Sequence, residues 1–282
     1  MGSYYRPRAL DDALRARAGG RCVVLAGGTD FYPARVGRTV EEDVLDITAL
    51  AELRGVREEA TRFRIGALTT WTDLLEAPLP AWFGAVKLAA REVGGVQIQN
   101  AGTVAGNLCN ASPAADGVPP LLALGAEVEL RSVRGTRTLP LGDFIQGNRK
   151  TGRAADELLT AVLVTKWADG VRSTFLKLGA RRYLVISIAM VAAVVETDAR
   201  GAIARCGVAV GACSAVAQRL PALEGALAGR PLARGIGAAV RPEHLAPLAP
   251  ITDVRATAAY RGDAVATLVS RALESLACEQ LS

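Results

Sequence analysis

Histidine is nearly missing from this 282-residue chain, with His244 its sole representative. Serine and cysteine hydrolases draw their base from a histidine, and one set among prolines is poorly placed for that work. His244 therefore reads as a surface-loop residue. The five cysteines (Cys22, Cys109, Cys206, Cys213 and Cys278) are scattered, with no C-x-x-C pair. Zinc and iron–sulfur centres need clustered thiolates or imidazoles, so the chain is predicted to bind no metal by itself. An odd number of scattered thiols fits reduced side chains better than a disulfide framework. Cys109 reads as a small buried filler.

Runs of like charge are also missing. The 33 basic and 28 acidic residues leave a net charge of +5, without a block of five or six of one sign. Nucleic acid and polybasic membrane contact are thereby disfavoured. Aromatic residues make up 5 % of the chain, too few for a platform that stacks single-stranded bases. The longest apolar stretch, Tyr183 to Val195, is broken by Ser187 and falls short of the roughly 18 residues a membrane span requires. The first residues, Met1 to Pro7, lack the apolar segment of a secretory signal. A cytoplasmic protein without a membrane span is the expectation. Two nucleotide-binding signatures are absent as well: there is no G-x-x-x-x-G-K-[ST] loop and no G-x-G-x-x-G after the first strand.

What the chain does have is half its residues apolar, enough for a substantial core in one or two domains. It also has two glycine-rich turns about seventy residues apart. The first is Ala26-Gly27-Gly28-Thr29-Asp30, entered from the apolar run Val23-Val24-Leu25. The second is Asn100-Ala101-Gly102-Thr103-Val104-Ala105-Gly106-Asn107, followed closely by Ala111-Ser112-Pro113-Ala114-Ala115-Asp116. Turns stripped of side chains let backbone N–H groups approach a phosphate without help from lysine. Thr29 and Thr103 add hydroxyls, while Asn107 and Asp116 add acceptors for hydroxyls or polar ring edges. Such a pair of turns suits the extended diphosphate of a flavin dinucleotide. Two plainer readings stand beside it: Gly27-Gly28 as an ordinary strand-to-helix turn, and Asp116 as a helix cap.

Periodicity and punctuation predict the surrounding elements. A helix over about 11–17 and strands at 21–26 and 44–47 make a small β–α–β unit up to about residue 55. A strand at 62–67 precedes a helix capped by Thr70 with Asp73 three residues on. A helix over 82–93 ends at Gly94-Gly95. Ser112-Pro113 offers a further helix start, Asp116 lies on an exposed turn, and Pro119-Pro120 launches a short helix ended by Gly125. A strand at 126–130 follows, and residues 131–155 read as surface loops. From about residue 173 the pattern becomes three antiparallel strands (174–178, 184–195 and 206–211, with a hairpin turn at 198–201) backed by helices at 220–228 and 264–276.

Four segments occur in one order: residues 24–30, 99–107, 111–116 and Phe175-Leu176-Lys177-Leu178-Gly179-Ala180-Arg181-Arg182. Together they resemble the FAD-binding medium subunit of molybdenum hydroxylases, the group of the carbon monoxide and xanthine dehydrogenases. The resemblance covers nearly the whole chain. It implies an α+β chain with a two-subdomain FAD-binding fold of the vanillyl-alcohol oxidase type over residues 1–172 (subdomains about 1–55 and 56–172). A C-terminal flavoprotein domain, residues 173–282, carries the three-stranded sheet. Carried over position by position, Ala26, Gly27, Gly28, Thr29 and Asp30 with Thr103, Val104, Ala105, Gly106 and Asn107 line FAD, and Asp116 contacts it. Leu158 and Lys177 match positions near the flavin ring, Val93 one nearer the adenine, and Phe175 loosely an aromatic against the ring. Ala105 departs from the family's second glycine. The implied role is electron transfer from [2Fe–2S] clusters on a small partner subunit to an outside acceptor. Substrate is oxidised at a molybdenum cofactor on a large subunit, in a hetero-oligomer. Two other readings stay open: a self-sufficient flavoenzyme, with Glu157 and Tyr183 as its candidate acid or base, and a cofactor-free assembly subunit, supported by Ala105.

Overall fold

A computed structural model describes residues 2–278, so Met1 and the last four residues of the expected C-terminal domain lie outside the description. Strand β1 (Tyr4–Tyr5), helix α1 (Leu10–Arg17), β2 (Val23–Leu25) and β3 (Val44–Asp46) form the first unit. Its three strands are parallel in the order β1-β3-β2. Asp11 and Asp12 begin α1, and Arg15 and Arg17 end it, in accord with the helix dipole. The helix buries Leu10, Ala13 and Leu14 against Leu45, Ile47, Leu50 and Leu53.

The second unit is built on a five-stranded antiparallel sheet. Strands β4 (Val56–Glu58) and β5 (Arg62–Gly66) lead to helices α2 (Trp71–Glu76), α3 (Gly84–Glu92), α4 (Val96–Ala101), α5 (Val104–Asn110) and α6 (Val118–Ala123). The chain returns through β6 (Glu127–Ser132), β7 (Gly135–Pro140), the single turn α7 (Leu141–Phe144), the short pair β8 (Ile145–Gly147) and β9 (Lys150–Thr151), and β10 (Leu158–Thr165). The sheet order is β4-β5-β10-β6-β7. Thr70 and Asp73 form the expected reciprocal cap on α2.

Two expectations fail in this unit. Residues 131–155 are not loops: β7 pairs with β6 over its whole length, and a short hairpin follows. Gly135-Thr-Arg-Thr is polar because β7 is an edge strand with mostly exposed side chains, so it carries no apolar signal. The central strand β10 escaped notice for the opposite reason. It is buried on both faces, and its Leu158–Val164 run lacks the alternation that marks a half-exposed strand. Nor does Ser112-Pro113 begin a helix; the Ser112 hydroxyl accepts from the Ala114 amide within a turn.

The C-terminal unit holds β11 (Arg172–Leu178), β12 (Ala189–Thr197), β13 (Ile203–Gly211), a two-residue edge strand β14 (Gln218–Arg219), α8 (Pro221–Leu227) and α9 (Ala258–Cys278). The three expected strands thus become four, antiparallel in the order β11-β12-β13-β14. Alternation along β12 serves two cores. Met190, Ala192 and Val194 face the helices of the second unit, while Ala189, Val191, Ala193 and Val195 face α8 and α9. The apolar run begins earlier than the strand. Tyr183, Leu184 and Ile186 are 64 %, 61 % and 62 % exposed, in a loop where Leu184 has φ +51°.

Candidate functional site

The first glycine turn leaves β2 at Leu25, and Gly28 takes φ +73°, the region that favours glycine. Gly27 is required by proximity instead. A Cβ there would lie 1.9 Å from the carbonyl oxygen of Ala101, so the two glycine segments touch. Thr29 closes the same contact, its hydroxyl lying 3.3 Å from where a Gly102 Cβ would stand.

The second segment is a junction between helices rather than an open turn. Helix α4 ends at Ala101, Gly102 is extended, and Thr103 caps α5 by accepting from the Gly106 amide at 2.9 Å. Trp71 N–H donates to Gly102 and Val104 N–H to Thr69, which fastens the junction to the start of α2. Val104, Ala105, Gly106 and Asn107 are therefore the first residues of a helix. Ala105 needs no positive φ, and its methyl group is accommodated.

Where the segments meet, a cavity of about 610 Å³ opens, within the range of cofactor sites. Ala26, Gly27, Gly28, Thr29, Asp30, Thr103, Ala105, Gly106, Asn107 and Leu158 line it, and Val93 does too. Val104 is fully buried behind the wall. Two observations mark the cavity as a place for a polar ligand. Among the described residues, the N–H groups of Gly27, Gly28, Thr29 and Asp30 donate to no protein acceptor. The side-chain oxygen of Asn107 is buried without a hydrogen-bond partner. Unsatisfied buried polar groups are costly in a folded protein unless a ligand or water meets them.

Asp116 and Lys177 do not line the cavity. Asp116 is 8 % exposed rather than on an open turn. It accepts from Lys177 Nζ at 2.7 Å and from the Ser187 hydroxyl at 2.6 Å. Burial pushes its carboxyl above the usual range, against the opposing pull of Lys177 and Ser187. Lys177 also donates to the Glu92 carbonyl, next to Val93. Leu158 packs instead in the cluster around α1, so Leu158 and Lys177 belong to different parts of the structure. Phe175 lies in the core shared by the second and third units and does not line the cavity.

Glu157 is paired with Arg137 at 2.7 and 2.8 Å and accepts from the Ala154 amide, an arrangement that ties down a loop. His244 is 9 % exposed, not on an open loop, and its Nδ1 accepts from the Arg241 amide. Motif reading missed Arg17, Arg35, Arg149 and Arg153, all of which line the cavity, where Asp30 is the sole acidic side chain among the described residues. These arginines stand far apart in the chain and carry no local signal. Among the described residues no cluster of acidic, thiol or imidazole groups could hold a metal, and no helix is long and apolar enough to cross a membrane.

Comparison with known proteins gives two family matches along the chain. Residues 1–167 match the family described as the FAD binding domain in molybdopterin dehydrogenase, and residues 174–276 match the CO dehydrogenase flavoprotein C-terminal domain. The nicotine 6-hydroxylase medium subunit of Paenarthrobacter nicotinovorans is 30 % identical over 274 residues, covering 96 % of this chain and 95 % of that one. The nicotinate dehydrogenase FAD-subunit of Eubacterium barkeri is 36 % identical over 206 residues, or 70 % of each. Among solved structures, a chain of the carbon monoxide dehydrogenase of Hydrogenophaga pseudoflava superposes with a TM-score of 0.89 at 27 % identity, covering 100 % of this chain and 99 % of that one. The chain belongs to the family described as the FAD binding domain in molybdopterin dehydrogenase, and its C-terminal region is similar to the CO dehydrogenase flavoprotein C-terminal domain.

Proposed function

We propose that this chain holds FAD in the cavity between the two glycine segments and acts as the electron-transfer subunit of a molybdenum-containing hydroxylase. The observation that carries the reading is the contact of Gly27 with Ala101, which sets unpaired amides of the first turn beside the start of α5. The residues present fit the cofactor. Amides of Gly27 to Asp30 would meet the diphosphate, and the unpartnered Asn107 oxygen would accept from a hydroxyl. Ala26, Thr103, Ala105 and Gly106 would shape the wall with Val104 packed behind it, and Leu158 would supply an apolar surface. The buried Asp116–Lys177 pair would hold the Glu92–Val93 end of the site in place. Bound FAD supplies one-electron exchange with a cluster and two-electron exchange with an outside acceptor.

By this reading, substrate oxidation belongs to a large molybdenum-cofactor subunit, and a small subunit brings the [2Fe–2S] clusters. The cytoplasm is the proposed compartment. Residues 1–172 form the FAD-binding domain, with the two-subdomain arrangement of the vanillyl-alcohol oxidase type, and residues 173–282 form the C-terminal domain. A self-sufficient flavoenzyme finds no support, since Glu157 is held in an ion pair and Tyr183 projects into solvent. The cofactor-free reading loses its one support because Ala105 is helical.

The purified chain is expected to be yellow and to release FAD on heat denaturation, and to oxidise no purine, aldehyde or carbon monoxide until large and small partners are added. A colourless chain after saturation with FAD, or substrate turnover by the chain alone, would overturn the proposal.

A further inference from the structure

A second cleft, of about 410 Å³, shares no lining residue with the cavity between the glycine segments. It lies where α3 of the second unit faces the start of β11 in the third. Among the described residues, three cations line it (Lys87 and Arg91 from α3, Arg172 from β11) and no acidic residue does. Lys87 and Arg91 stand four positions apart on one helix face, a like-charge spacing that destabilises a helix. None of the three side chains forms an ion pair among the described residues.

Two of these charges are held in place by backbone. Lys87 Nζ donates to the carbonyls of Leu75 and Ala77 at 3.0 and 2.7 Å, and Arg172 Nη1 donates to the Leu276 carbonyl at 2.6 Å. Carbonyls orient the two side chains but carry no net charge to cancel theirs. Both cations keep N–H donors to spare. The Ser173 hydroxyl oxygen accepts from the Ala85 amide at 2.8 Å, which leaves its O–H free to donate. Leu88 and Val171 add an apolar wall.

A monocarboxylate would cancel one of the three charges and leave two cations side by side. A tetrahedral dianion cancels more, and its oxygens meet donors that arrive from separate elements, as in phosphate recognition by arginine. The volume falls at the low end of ligand pockets, which suits a phosphate with a small organic group. We propose that Lys87, Arg91, Arg172 and Ser173 form a site for inorganic phosphate or a small phosphomonoester, bridging the second and third units. Its residues are separate from those of the FAD reading.

The test is isothermal titration calorimetry of the full chain with inorganic phosphate and with glycerol 3-phosphate, at constant ionic strength set by chloride. Saturable binding is expected, and it is expected to persist after saturation with FAD. A tighter ester identifies an organic phosphate seated on Leu88 and Val171; equal affinities identify free phosphate, and either supports the site. Arg91→Gln is expected to weaken binding about tenfold, the scale of a lost charged hydrogen bond, and Arg91→Lys to lose less. The Arg91 side chain is exposed, and thermal melts check that both variants fold like the parent. Arg200→Gln removes the same charge from an exposed hairpin outside the cleft and is expected to stay within about twofold of the parent. Equal losses from Arg91→Gln and Arg200→Gln would reduce the effect to net charge and overturn the proposal. Absence of saturable binding, or displacement of phosphate by FAD, would overturn it as well.

Discussion

A methyl group on Gly27 would collide with backbone, not with a side chain that could swing aside. The Ala101 oxygen it meets belongs to the end of α4, and moving it disturbs the Gly102–Thr103 junction that starts α5. Gly27→Ala is therefore expected to cost on the order of 1–3 kcal/mol, the usual scale of overpacking, and to abolish flavin retention. Thermal unfolding and bound-flavin absorbance check the two effects separately. A variant that retains full flavin would show that the contact between the two segments is dispensable. At this scale the sequence was legible where a residue type admits few uses. Gly28 at φ +73° and the Thr70–Asp73 cap are such cases. Asp116 was not, because a carboxylate in a turn-like segment looks the same whether it faces water or Lys177.

Strands β5, β10 and β6 are joined by more than backbone bonds. Arg64 reaches across to Glu129 with both nitrogens at 2.7 Å, and the Thr160 hydroxyl donates to the same carboxylate at 2.5 Å. The Arg64 hydrogen bonds hold the Glu129 carboxyl below its ordinary value of 4.5, with burial opposing and Thr160 adding to the effect. A carboxyl with a depressed folded-state pKa stabilises fully above its unfolded value and loses that contribution as pH falls through the folded value. Stability is thus expected to drop as pH is lowered below about 4.5, and Glu129→Gln is expected to flatten that dependence in denaturant titrations at several pH values. An unchanged acid slope would remove Glu129 from the account. Element reading from sequence succeeded where one face is dry and the other wet, as in β5, and failed at the extremes. Strand β7 exposes nearly everything and β10 almost nothing, so neither shows a period of two.

Across the whole molecule, the sheet of the third unit is a shared wall. Met190, Ala192, Val194 and Ala209 pack into the core of the second unit, while the alternate residues of β12 and β13 pack under α8 and α9. Neither side can open without exposing the other, so the chain is expected to unfold in a single cooperative transition. Trp71, Trp82 and Trp167 all precede residue 173 and report the first two units by fluorescence, and far-UV circular dichroism includes the 21-residue helix α9. Coincident curves from the two probes are the expected result, and separate midpoints would contradict it.

The sequence by itself determined the two glycine segments, the caps, most of the helices and the paired C-terminal strands. Each of these depends on neighbours a few residues apart, whose backbone demands are local. The tertiary structure alone decided that the two glycine segments touch, that Asp116 is buried against Lys177, and that four arginines from distant positions line one cavity. Burial and charge environment are sums over atoms brought together by packing, and no local pattern of residues encodes those sums.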